Sequence, residues 1–232
     1  MGTAILVEYY DELPESRDDD NRAAKVARLK SLNEFRHRVA ARYTEGTLQR
    51  LLLSPDFRAR RAAALALGLL GTLASNPHLA AALRDEDREV RTIAGNGLWS
   101  LWFRADSEEN SRTLQRVMRM SNPEKMLAGF DALIAKAPRF AEAYNQRAIL
   151  HFRLEEYQKS IEDARRVLKL NPYHFGAQSA MGQAYMKLRK PRAALRAFRR
   201  AYRMNPELQG VRETIRALED VLGEGGKKDD KK

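Results

Sequence analysis

Four histidines, His37, His78, His151 and His174, are the chain's candidates for metal binding or proton transfer. None has a second histidine at the helical spacing that would set two imidazoles side by side, and no His-Glu-x-x-His run occurs. There is no cysteine, which removes a thiolate ligand, a disulfide and a thiol nucleophile together. No Gly-x-Ser-x-Gly elbow is present. "AGNGLW" (94–99) carries two glycines in helical register, a pattern suited to close helix packing rather than to cradling phosphate. No nucleophile, base and oxyanion donor fall together, so the chain reads as a non-enzyme with no catalytic residue, no metal site and no cofactor.

Three polar or aromatic features invite a binding role instead. In "AYNQRAILHF" (143–152) Arg147 sits among apolar helix positions, with Asn145 and Gln146 beside it. From Lys187 to Arg203 there are eight basic residues and no acid: Lys187, Arg189, Lys190, Arg192, Arg196, Arg199, Arg200 and Arg203. Such a block suits an acidic partner or nucleic acid, but no aromatic-and-glycine nucleic-acid motif accompanies it, and a solvated helix face is the simpler reading. "GLWSLWF" (97–103) carries Trp99, Trp102 and Phe103, an apolar load expected to join the two halves of the chain, with an exposed partner patch as the sharper alternative.

The elements that must position these residues are helical. Of 232 residues 44% are hydrophobic and 31% charged, with eight prolines, which fits a helix-rich globular protein. The longest apolar stretch, Ala62 to Leu70, is far short of a membrane span of roughly 20 residues. The N-terminal "TAILV" is too short for a signal core, and "MGTAIL" lacks the hydroxyl residue of a myristoylation signal. A cytoplasmic location without membrane attachment is the expectation. The net charge of +11 is uneven: residues 1–20 hold seven acids and one base.

Self-comparison gives a period of 34. Residues 141–174 lie over 175–208, with Tyr144 over Gln178, Ala148 over Gly182, Val167 over Ala201, and "LNP" (170–172) over "MNP" (204–206). One step back, Met126, Phe130, Leu133 and Pro138 occupy the same positions of 107–140. This resembles the tetratricopeptide repeat (TPR), clearest in Met181, Gly182, Tyr185, Ala194, Phe198, Ala201 and Pro206. In the N-terminal half, 54–71 lies over 85–102: Asp56 over Asp87, Arg60 over Arg91, Ala63 over Ala94, Leu67 over Leu98. That pattern resembles short HEAT repeats, and it implies a structural Asp–Arg contact between neighbouring turns through Asp56, Arg60, Asp87 and Arg91. The chain is also similar to bacterial proteins that join short HEAT repeats to a TPR segment, a likeness that implies no particular activity.

The expected architecture is an all-α solenoid of antiparallel helix pairs. An acidic arm (1–21), extended or unordered, precedes a capping helix (22–44) whose stripe is Leu29, Leu32, Phe35 and Val39. The arm could fold back on the basic segment after it. Two HEAT-like repeats (45–104) and three TPRs (107–140, 141–174, 175–208) follow, closed by a capping helix (209–222) and a disordered tail (223–232).

The TPR resemblance implies a concave groove lined by the first helix of each repeat. Carried over position by position, it consists of Ser111, Gln115 and Met118, then Glu142, Asn145, Ile149 and Phe152, then Ser179, Gln183 and Met186. TPRs that clamp a C-terminal carboxylate place cations where Ser179 and Gln183 stand, so that mode is disfavoured. A peptide or helix with amide contacts and apolar anchors fits better. The reading is therefore a protein-binding scaffold, with nucleic-acid association through the basic face as the second reading and self-association left open by the end faces. The resemblance also sets Arg147 at a leucine position between the two helices of its repeat, which demands a carboxylate from Asp131 or Asp163. His151 reads as core filling, and His174 as a turn or helix-start residue.

Overall fold

The computed structural model describes residues 2–14 and 21–223, and every regular element among them is helical. The fold is an all-α solenoid of helix pairs, in two compact units that meet in sequence at Leu101 and Trp102.

In the first unit α1 (Gly2–Asp11) is a helix, not the extended or unordered arm its β-branched residues suggest. Leu6 and Val7 are buried and Tyr10 half-buried on one helical stripe. α1 packs against α4 (Phe57–Leu70) and α2 (Arg22–Ala40), and burial of that stripe overrides local propensity, with no strand among the described residues to pair with. The acids at its end do meet basic neighbours, Asp11 against Arg58 and Glu12 against Arg38. Residues 15–20 of the expected arm, and the expected tail after residue 223, lie outside the described residues.

Asn21 caps α2 by accepting from the Ala24 amide at 3.0 Å. Only the C-terminal half of α2 is buried, through Phe35 and Val39, while Leu29, expected in the same stripe, is 62% exposed. Among the described residues no second helix covers the first two turns of α2.

Two helix pairs follow, α3 (Glu45–Leu51) with α4, and α5 (Asn76–Ala82) with α6 (Arg88–Phe103). The inner face of α4 is alanine-rich, which brings backbones close. A Cβ added at Gly68 would stand 2.7 Å from the Cα of Gly97. Of the two glycines in 94–99, Gly97 therefore makes the close approach, and Gly95 has only an ordinary neighbour in Leu83.

The arginine–aspartate contacts between neighbouring turns differ from the expected register. Arg60 forks onto Asp85 (2.7 and 2.9 Å), also reaches Glu86, and donates to the carbonyls of Ser54 and Pro55. Arg61 forks onto Asp87 at 2.8 and 2.7 Å. Asp56 instead caps α4, accepting from the Arg58 amide. Arg91 repeats the local half of the Arg60 pattern, donating to the carbonyls of Asp85 and Glu86. The two copies thus share the arginine-to-turn bonds, and the inter-repeat carboxylates sit at Asp85 and Asp87.

The second unit stacks α7 (Glu108–Met118) and α8 (Pro123–Lys136), α9 (Ala141–Arg153) and α10 (Tyr157–Leu170), α11 (Phe175–Lys187) and α12 (Pro191–Met204), then α13 (Val211–Val221). The second helices begin at 123, 157 and 191 and end at 136, 170 and 204, a constant 34-residue step. The turns of the second and third pairs repeat one another. Asn171 accepts from the Tyr173 amide and Asn205 from the Glu207 amide. Glu155 and Arg189 both take left-handed backbone, at φ 62° and 53°, each just past the end of a first helix. Gly182 lets the Phe198 ring close on α11, since a Cβ there would lie 2.9 Å from it. Val211 and Leu218 of α13 are buried against Leu195 and Phe198, with Ile215 and Leu222 partly buried beside them.

Candidate functional site

The polar residues of α9 separate into two structural networks. Arg147 takes both candidate carboxylates: Nε and Nη2 fork onto Asp163 at 2.8 and 2.7 Å, and Nη1 reaches Asp131 at 2.6 Å. Those bonds, the Asp163 fork foremost, raise the guanidinium's pKa above its ordinary value. His151, on the same helix, is buried and shares a 2.6 Å bond with Glu156 through Nδ1, a polar role beyond core filling.

The second network corrects the expected groove. Glu142 and Asn145 are buried, at 0% and 2% exposure, instead of facing an open surface. Asn145 and Gln146 both donate to Glu142 Oε1, at 2.9 and 2.6 Å, and His174 Nε2 lies 3.0 Å from Oε2. His174 Nδ1 accepts from the Ala177 amide at 3.0 Å, which leaves the ring proton on Nε2 to donate to Glu142. His174 is thus the helix-start residue expected, capping α11. Its ring stacks on Trp102 at 4.2 Å, and Trp102 also meets Phe175. Of the aromatic run 99–103, Trp102 is buried in this unit, with Trp99 and Phe103 half-buried. A buried carboxylate needs donors at each oxygen, and that need draws Asn145 inward. Ser111 is likewise 7% exposed, so it does not face a groove.

The remaining expected groove residues are more accessible. Gln115 and Met118 are exposed on α7, and Ile149 is half-buried on α9. Phe152, Ser179, Gln183 and Met186 come together around one cavity of about 410 Å³, completed by Lys187, Phe198 and the start of α13. Met186 is 43% exposed at its edge, and Phe152 is held edge-on by Tyr157 at 5.3 Å. Sequence reasoning missed the contribution of Gln209, Val211 and Thr214, because the chain returns to the groove only after the last repeat.

The basic block does not form a single face. Lys187 lines the groove cavity, and Arg189 and Lys190 occupy the turn before α12. Arg192 is exposed at the start of α12. Arg196, Arg199, Arg200 and Arg203 line a different cavity of about 820 Å³, together with Arg212 and Arg216 of α13. Helical rotation over these turns distributes the charges to different sides.

Residues 11–99 match HEAT repeats, and residues 141–174 and 179–220 match two tetratricopeptide-repeat profiles. The chain joins HEAT repeats to TPRs. A TPR repeat-containing protein of Rhizobium etli is 28% identical over 142 residues, 60% of this HEAT–TPR chain and 70% of the relative. Anaphase-promoting complex subunit 7 of Dictyostelium discoideum is 31% identical over 84 residues, 36% of this chain and 14% of that protein. Among solved structures, the first TPR domain of Spaghetti (RPAP3), bound to an HSP90 peptide, superposes with a TM-score of 0.48 at 18% identity, covering 51% of this chain and 96% of that one. TPR repeats are protein-interaction modules, and their presence makes this HEAT–TPR chain a protein-interaction scaffold in kind. Among the described residues no helix is long and apolar enough to cross a membrane.

Proposed function

We propose that the chain is a non-catalytic, cytosolic scaffold that holds an extended or helical segment of a partner protein in the groove lined by α9, α11 and the start of α13, with α7–α8 serving as the first of three TPRs. One observation carries the reading: Phe152, Ser179, Gln183 and Met186, which stand at groove positions of two successive repeats, line the same cavity. Its chemistry is a half-buried aromatic ring, a flexible thioether, a hydroxyl and an amide. Those groups suit a peptide with an apolar anchor and free backbone hydrogen-bonding groups. The constant step of α8, α10 and α12 supports counting α7–α8 as a repeat.

The test is peptide selection on the immobilised protein from a display library without Asp or Glu, followed by affinity measurement on variants. Gln183→Ala and Met186→Asp are expected to weaken the selected peptides about tenfold or more, the effect of losing a central anchor. Arg200→Glu should leave them unchanged. Selected peptides that bind the groove variants as tightly as the wild type would place the site elsewhere.

A further inference from the structure

On the side of the second unit formed by α10, α12 and α13, two cavities run side by side and share Arg196 and Arg200. The first, about 420 Å³, is rimmed by Arg165, Lys169, Arg196 and Arg200 over a floor that includes Leu168 and Met181, with no acid in its lining. Gln178 also lines it. That side chain is 3% exposed, and its Nε2 has no hydrogen-bond partner. A buried amide donor without an acceptor is costly, and its place in a cation-rimmed cavity supplies an acceptor only when an oxyanion or carbonyl enters. The second cavity, about 820 Å³, adds Arg212 and Arg216 over Tyr202 and Ile215. It already holds one carboxylate: Arg199 grips Glu219 Oε1 with Nη2 at 2.7 Å and Nε at 3.2 Å. Among the described residues Lys169, Arg196, Arg200, Arg212 and Arg216 have no acidic partner, and all are exposed. Arg196 with Arg200, and Arg212 with Arg216, are like-charged neighbours one turn apart, a repulsion that an anionic ligand relieves.

We infer that this face binds an acidic polypeptide segment whose carboxylates alternate with apolar side chains, the carboxylates meeting the arginine rims and Gln178 Nε2, the apolar groups filling the two floors. Arginine side chains present several N–H groups to a carboxylate, and Arg199 already turns two of them to one oxygen of Glu219. A nucleic-acid strand shares the charge but calls for open ring faces on which bases stack. The ring-bearing residues here, Tyr185 and Tyr202, are half-buried, and Tyr185 takes a 2.9 Å hydrogen bond from Arg165.

The experiment is fluorescence anisotropy with the full chain and three labelled probes: a peptide of repeated Glu-Glu-Leu, the same length of repeated Glu-Glu-Ser, and an oligothymidylate. The Glu-Glu-Leu peptide is expected to bind most tightly. The Arg196→Gln/Arg200→Gln pair, exposed and so safe for folding, should weaken it about tenfold or more, and Gln178→Leu about threefold. Met186→Asp, in the separate groove, should leave it unchanged, which keeps this result independent of the groove reading. Equal binding of Glu-Glu-Ser, tighter binding of oligothymidylate, or indifference to the arginine pair would each overturn the inference.

Discussion

The two units use the same side chains to opposite ends. In the HEAT unit, Arg60 and Arg61 are saturated: Arg60 is 6% exposed, with two acids and two carbonyls around it, and Arg61 forks onto Asp87. In the TPR unit Arg147 is saturated in the same way, but among the described residues Arg196, Arg200, Arg212 and Arg216 meet no acid. Charge consumed between repeats stabilises a stack, whereas charge left on the outer side of the second helices is available to a ligand. Composition alone cannot tell these uses apart.

The comparison breaks first on the arginines. Arg60→Ala and Arg147→Ala each leave a nearly buried aspartate, Asp85 or Asp163, without its partner, and each is expected to lower unfolding free energy by about 3 kcal/mol in urea denaturation. Arg200→Ala should stay within about 0.5 kcal/mol. A large loss for Arg200→Ala would erase the distinction between structural and available charge.

Glycine contacts sharpen it next. Gly68→Ala drives a methyl into the backbone of Gly97, which cannot move aside, and should cost about 2–3 kcal/mol in thermal or urea unfolding. Gly182→Ala meets the Phe198 ring, a side chain that can tilt, so about 1–2 kcal/mol is expected. The reverse order would mean that the HEAT pair is the more pliable.

A pH titration addresses the Arg61–Asp87 pair alone. The Arg61 fork, helped by the Val90 amide bond and opposed by burial, lowers the Asp87 carboxyl from its ordinary value to about 2. A carboxyl depressed on folding contributes stability above its unfolded value of about 3.9, and loses it as pH falls from there through the folded value. The stability difference between wild type and Asp87→Asn, followed by circular dichroism, should hold from neutral pH to about 5 and shrink below 4. A constant difference down to pH 2.5 would show that Asp87 acts only as a neutral cap.

The smallest effect is a gain. Arg189 and Glu155 occupy left-handed backbone, and glycine there removes a Cβ penalty of about 1 kcal/mol. Arg189→Gly should raise stability by somewhat less, because glycine also loosens the unfolded chain. No gain at either site would mean that the side chains contribute more than their backbone costs.

Much of the candidate groove was legible because repeat register converts a sequence position into a direction. Ser179, Gln183, Met186 and Phe152 reached one cavity from register alone, and Arg147 reached Asp131 and Asp163. Register failed at Asn145 and Ser111, which turn inward. For Asn145 the cause is Glu142, whose buried carboxylate takes Asn145, Gln146 and His174, the last from 32 residues away. Neither the buried unpartnered amide of Gln178 nor the second cavity shared by α12 and α13 leaves a mark in a single segment.

The sequence by itself determined the helix pairs, their 34-residue step and the caps and turns between them, because those depend on neighbours within a few residues of each other. Tertiary structure decided which polar side chains became structure and which stayed available. That outcome depends on whether a carboxylate from a distant helix arrives at the same point: Asp85 does so at Arg60 and Asp163 at Arg147, and among the described residues no acid does at Arg196 or Arg200.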